Sequence, residues 1–319
     1  MKDEMGIIVL RIAQEALSIA MTSFISRLNK AIIAADCPLC VGLDPFTSSI
    51  PPIFGEPSKI ATIEAFFNAV IDELSGKVAV IKPQIGLFEP WGAEGFALVS
   101  RLTARAKAKG LLVVLDAKRG DIGTTAQGYA DAYLGANPTI DCDCITLNPY
   151  LGIETLEPFV KHAESYGKSI AVLVRTSNPG ATDFQDLKVE GEPLWVKIAK
   201  SLKPIEARLM DGDMSSLMVV IGATWPNEAV KLREILPYSQ FLIPGYGAQG
   251  ASAEDAFSGL VNKGNRIEGG VISSSRAVLY PQGAERAGNI EEWRGIFSQN
   301  LSNIMIDLRL ASENVIARA

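Results

Sequence analysis

Eight short runs rich in Val, Ile and Leu recur along the chain, and each closes on a polar or glycine-containing cluster. They are LCVGLD (39–44), VAVIKP (78–83), LLVVLDAK (111–118), CITLNP (144–149), SIAVLVRT (169–176), LMVVIGAT (217–224), QFLIPGYG (240–247) and GGVISSSR (269–276). Near-continuous apolar runs of this kind mark parallel strands covered on both faces. Helical patterns separate them, such as PSKIATIEAFFNAVIDELSG and EGFALVSRLTARAKAKG, the second closing on Gly110 as a helix C-terminus does. Strand and helix alternating eight times predict a (β/α)8 TIM barrel, although an open doubly wound sheet begins the same way. The polar strand ends favour the barrel, because a barrel gathers all eight carboxyl ends onto one face, where barrel enzymes place their chemistry.

The chain has 319 residues, 48% hydrophobic and 21% charged, enough apolar material for one barrel domain spanning 1–319. Residues 1–34 read as an N-terminal helical extension: Ile8, Ile12, Leu17, Met21, Phe24 and Leu28 step at three to five residues, as on an amphipathic helix lying against the domain. Acidic residues stand where a signal peptide needs positive charge, and Arg11 and Glu15 interrupt the apolar run, so a cytoplasmic protein is expected. No run approaches the roughly 18 apolar residues of a membrane span. The formal charge of −6 gives no basic footprint for nucleic acid, but leaves room for a local anion site. The polar segment 183–216 is longer than the other connections and reads as an insertion over the active-site face.

Cys37 and Cys40 in CPLC, and Cys142 and Cys144 in DCDC, each open an apolar run; they read as buried small hydrophobes, and the second spacing does not suit a zinc knuckle. The single histidine, His162, reads as a surface residue, so acid–base work falls to Lys, Asp, Glu or Tyr. The third run supplies them. On a strand, Asp116 and Lys118 share a face, Lys82 ends the neighbouring strand, and a bend at Gly120 is expected to bring Asp121 back to the same ammonium. Two carboxylates beside Lys118 favour its ammonium form, suited to an acid rather than a Schiff base; a structural ion-pair network is the alternative. PGYGAQG after the seventh run and SSSR after the eighth place Gln249 and Arg276 where these barrels commonly bind phosphate.

The segments VGLDP, IKPQIGLFEPWG, LDAKRGDIGTTA, LNPYLG, VRTSNPG, IPGYGAQG and SSSRA, in this order, resemble the orotidine 5'-phosphate decarboxylase family in its longer bacterial-type subfamily. The resemblance implies a phosphate-binding barrel that removes CO2 from orotidine 5'-monophosphate without metal or cofactor. It implies that Lys82, Asp116, Lys118 and Asp121 form a charged tetrad. Asp121, with Ile122 and Thr125, would reach into the partner's site across a homodimer interface. Asp44, Lys82 and Thr125 would hold the ribose, Ser177 the pyrimidine edge, and Gln249 and Arg276 the phosphate, with Pro244 a further substrate contact. Other readings are a magnesium-dependent sugar-phosphate decarboxylase or synthase on the same scaffold, an aldolase working through Lys118, and a non-catalytic nucleotide-binding protein.

Overall fold

The eight apolar runs pair in parallel and close on themselves. The structure, a computed structural model, describes residues 22–247, 250–264 and 266–318. Its barrel strands are β1 (Leu39–Leu43), β2 (Val80–Pro83), β3 (Leu112–Arg119), β4 (Cys144–Leu147), β5 (Ser169–Arg175), β6 (Leu217–Ile221), β7 (Gln240–Pro244) and β8 (Gly270–Ser274), neighbours in space in the order they occur in the chain. Helix α1 (Phe24–Ala35) precedes β1. The crossovers carry α2 (Ile60–Leu74), α3 (Gly92–Ala108), α4 (Gly123–Leu134), α5 (Glu157–Tyr166), α6 (Leu194–Ser201), α7 (Pro226–Ile235) and the short α8 (Ala253–Phe257), and a 29-residue helix, α9 (Ile290–Arg318), follows β8.

Strand periodicity sorts the residues into two shells. Val80, Val114, Cys144, Ala171, Met218 and Val271 fill the barrel interior, while their neighbours Ile81, Val113, Ile145, Val172, Val219 and Ile272 pack outward against the helices. Both faces are therefore apolar, which is why the strands show no polar alternation. Helix α3 ends where Gly110, at φ 80°, allows a left-handed turn that bonds back to Lys107 O at 3.0 Å.

Helix α1 closes the amino-terminal end of the barrel. Phe24 and Leu28, fully buried, join the interior cluster and contribute roughly 1.5–3 kcal/mol each. Arg27 reaches Asp143 and the Gly167 carbonyl just ahead of β4 and β5, and Ser23 caps the helix through Ser26 N. The amphipathic pattern read in the extension thus holds for its second part; Ile8, Ile12, Leu17 and Met21 lie outside the described residues.

The segment 183–216 departs from its expected place. Only its beginning lies over the mouth, where Phe184, Gln185, Leu194 and Ile198 face the cavity. Its apolar residues Trp195, Val196 and Ala199 make α6 the ordinary crossover helix. Residues 203–215 then run to the opposite end, where Asp211 accepts from Ser23 and Ser26 of α1.

All four cysteines are buried and unpaired. Burial pushes their thiols up, Cys37 to about 11, Cys40 and Cys142 to about 12, and Cys144 well above the ordinary range. His162 is less exposed than a surface residue would be: it bonds Asp131 at 2.6 Å and bridges α5 to α4. Among the described residues no helix is long and apolar enough to cross a membrane.

Candidate active site

Four of the inward rows, followed two residues beyond their last apolar member, turn polar at the mouth. Val80 leads to Lys82 and then Gln84, Val114 to Asp116 and Lys118, Cys144 to Thr146 and Asn148, and Val271 to Ser273. The site is the continuation of the barrel core in polar residues, opening into a cavity of about 770 Å³, a size suited to a small organic ligand.

Asp116 is its electrostatic centre. Its Oδ2 accepts from Lys82 Nζ and Gln84 Nε2, both at 3.0 Å, and its Oδ1 accepts from Lys118 Nζ at 2.6 Å and Thr146 Oγ1 at 2.9 Å. Four donors use the whole accepting capacity of a carboxylate. Burial pushes the Asp116 carboxyl up, but the charges of Lys82 and Lys118 outweigh burial and hold it well below the usual range. Burial likewise pulls Lys82 down, and Asp116, then Asp44, reverse this and raise it above the ordinary lysine range. Both lysines line the cavity, Lys82 with its side chain only 8% exposed and Lys118 with 47% exposed.

The backbone at Lys118 is left-handed, φ 46°, a conformation that costs a side chain with a Cβ roughly 1–2 kcal/mol. The ladder between β3 and β4 shifts register there, from Leu115↔Ile145 to Arg119↔Leu147. This places the turn at Lys118 and corrects the expectation for Asp121. Gly120 makes no left-handed bend; it packs on Asn148, whose N–H bonds Arg119 O at 2.9 Å, and β3 continues outward. Asp121 is thereby carried past the mouth, where it accepts from Ile122 N at 2.8 Å. Asp121, Ile122 and Thr125 do not line the cavity, and Ile122 is 62% exposed.

The other expected residues that fall within the described structure line the same cavity: Asp44, Ser177, Pro244 and Arg276. Asp44 Oδ1 is a buried acceptor without a protein donor, which suits a ligand hydroxyl. Tyr280 Oη donates to Asp44 O at 2.7 Å and accepts from Phe46 N at 3.1 Å, fixing the end of β1. The Phe46 ring in turn lies 5.4 Å from the guanidinium carbon of Arg276. Gly42 lets the Ser275 side chain lie against β1, since a Cβ there would stand 1.8 Å from Ser275 Oγ.

Ser177 is held by the end of β6. Gly222 N donates to Arg175 O at 2.8 Å, and Trp225 Nε1 donates to Thr176 O at 2.9 Å. The buried Arg175 stacks on Trp225 at 3.8 Å and pairs with Asp186 at 2.9 Å. Gln249 lies outside the described residues; the loop before it begins at Gly245, φ 109°, and Tyr246 anchors it to Asp307 of α9 at 2.6 Å.

Sequence reasoning missed Gln84, Thr146, Phe46 and Trp225. Gln84 and Thr146 sit two residues beyond Lys82 and Cys144, so extending the inward parity by one step finds both. Phe46 and Trp225 lie in loops, where no period applies.

Residues 37–288 match the model of the orotidine 5'-phosphate decarboxylase / HUMPS family. The orotidine 5'-phosphate decarboxylase of Rhodopirellula baltica is 38% identical over 272 residues, covering 82% of this chain and 89% of that protein. That of Deinococcus radiodurans is 40% identical over 265 residues, covering 82% and 91%. The solved structure of Leishmania donovani OMP decarboxylase superposes with a TM-score of 0.71 at 28% identity, over 93% of this chain and 100% of that one. A match that runs from the residues before β1 to those beyond Arg276 takes in every strand end that lines the cavity, and on this ground the chain belongs to the orotidine 5'-phosphate decarboxylase / HUMPS family.

Proposed function

We propose that this protein converts orotidine 5'-monophosphate to UMP and CO2, the closing step of pyrimidine nucleotide synthesis. The observation that carries the reading is Asp116 held between Lys82 and Lys118 in the wall of a cavity that Arg276 also lines. Breaking the bond from C6 to the carboxylate leaves its electron pair on a ring carbon with no conventional electron sink. Stabilisation then falls to charge already in place, which needs no reorganisation as the reaction proceeds. Lys118 supplies that charge and gives a proton to C6, and water restores the lysine. Asp116, fixed by four donors, keeps the ammonium aimed and sets a negative charge against the bound carboxylate. Asp44 and Lys82 hold the ribose, Ser177 the pyrimidine edge, Pro244 packs on the ring, and Arg276 with Gln249 takes the phosphate.

The same reading makes the protein a cytoplasmic homodimer, one domain per chain, in which Asp121, Ile122 and Thr125 complete the partner's site. Their position outside the cavity supports it, as does the exposed apolar surface of Ile122 and, in the loop after β4, of Tyr150 and Leu151. Mixing Lys118→Ala with Asp121→Ala protein after subunit exchange would restore about a quarter of wild-type activity if sites are shared, because half the dimers then hold one intact site; no recovery would sink the shared site.

The test of function is the loss of orotidine 5'-monophosphate ultraviolet absorbance with enzyme in excess chelator, beside Lys118→Ala. Rapid loss with wild type and none with the variant is expected. No loss with wild type would overturn the reading and direct the search to sugar phosphates with magnesium.

A further inference from the structure

Thr146 is 1% exposed, yet its hydroxyl is fully engaged, and all three of its bonds go to consecutive residues of one neighbouring strand. Oγ1 accepts from Ala117 N at 2.9 Å and from Lys118 N at 2.8 Å, and donates to Asp116 Oδ1 at 2.9 Å. A hydroxyl has one proton and two lone pairs, so nothing is left over for substrate. The contact also falls where the parallel ladder breaks: between Leu115↔Ile145 and Arg119↔Leu147, β3 advances four residues while β4 advances two. The surplus residues on β3 form a bulge whose backbone N–H groups turn to the threonine, and Lys118 within it takes its left-handed φ of 46°. Such a conformation in a non-glycine residue persists only where surrounding bonds fix it.

From this geometry we propose that Thr146 is the positioning residue for Lys118: its hydroxyl holds the bulge that presents the ammonium to Asp116 and to the reacting carbon. The proton donated to Asp116 sets the hydroxyl rotor, which leaves both lone pairs directed at the two N–H groups. One side chain therefore fixes the carboxylate and the backbone of the lysine together. A strand residue without a hydroxyl would fill the space but release the bulge, and Lys118 could relax towards the regular extended backbone, with its side chain redirected.

The inference rests on the proposed role of Lys118, and wild-type turnover of orotidine 5'-monophosphate tests that role first. Thr146→Val keeps the shape and removes the hydroxyl; Thr146→Ser keeps the hydroxyl. For the valine variant kcat should fall about 100-fold, the scale expected when a reacting group is misplaced by about 1 Å. KM and the dissociation constant of UMP should stay within about threefold, because no substrate contact is lost, and serine should restore most of kcat. Should valine prevent folding, Thr146→Ala set against Thr146→Ser asks the same question, since the two differ only in the hydroxyl. A valine or alanine variant with near-normal kcat would overturn the proposal. So would a loss that serine, folded and stable, fails to restore, or a loss expressed equally in UMP binding. An inactive wild type would instead defeat the decarboxylase reading itself.

Discussion

Gly222→Ala measures how tightly the Ser177 side of the cavity is built. A Cβ at Gly222 would lie 2.7 Å from Ser177 Cβ, 2.8 Å from its Cα and 3.1 Å from its N, whereas ordinary contact begins near 3.4 Å. Ser177 must therefore retreat by about 0.7 Å, and no rotamer change helps, because the opposing atoms are backbone and Cβ. The retreat is resisted by the two residues that precede the serine. Arg175 O and Thr176 O are tied to Gly222 N and Trp225 Nε1, and Thr176 N donates to Gln185 Oε1 at 3.0 Å. Overpacking of this kind costs about 1–3 kcal/mol, a fall of several degrees in Tm. If Ser177 reads the base, a displacement of this size should lower kcat/KM roughly 10- to 50-fold, most of it in UMP affinity. Steady-state decarboxylation, UMP calorimetry and a thermal melt of the same preparation measure all three. A lower Tm with unchanged kcat/KM would remove Ser177 from substrate recognition, and an unchanged Tm would refute the steric argument.

Asp116→Asn should abolish turnover and destabilise the fold by about 3–5 kcal/mol, since Lys82 is left buried with its main counter-charge gone. Because the native Asp116 carboxyl lies below its unfolded value near 3.9, its stabilisation is present above that pH and fades as pH falls. The gap between wild type and Asn in urea unfolding should thus be constant from pH 7 to about 5 and narrow by pH 3; a constant gap at all three would be contrary. Tyr280→Phe removes the hydroxyl joining Asp44 O to Phe46 N and should lower kcat/KM about 5- to 10-fold at a stability cost of about 1 kcal/mol; an unchanged rate would show that the end of β1 is held by other contacts. Arg276→Ala should lower kcat/KM at least 10-fold for the nucleotide but leave the phosphate-free nucleoside orotidine unaffected, and equal losses on both would place the arginine away from the phosphate.

How much of this was legible in the sequence depended on whether a period governed the residue. The strands were legible because burial on both faces leaves an unbroken apolar run, and Lys82, Asp116 and Lys118 because strand parity carries the interior row to the mouth. Asp121 defeated the argument: the turn was assigned to Gly120, the conformationally free residue, whereas the chain turns at Lys118, held by a threonine from another strand. A bond across strands has no signature in local propensity. The segment 183–216 was misjudged for a related reason. Its polarity signalled exposure, but not which end of the barrel it covers, and that is decided by Asp211 meeting Ser23 and Ser26 of α1.

The four buried thiols give the protein an internal clock for its own opening. Cys40 and Cys144 lie inside the barrel, and Cys37 and Cys142 lie just ahead of the strands that carry them. None can meet a thiol reagent while the barrel is closed, so labelling in native buffer counts opening events rather than surface chemistry. If the barrel opens as one body, all four sites should label with a single time constant. If α1 releases the amino-terminal end first, labelling should divide into phases, and mass spectrometry of partly labelled protein would show which strands part before the rest.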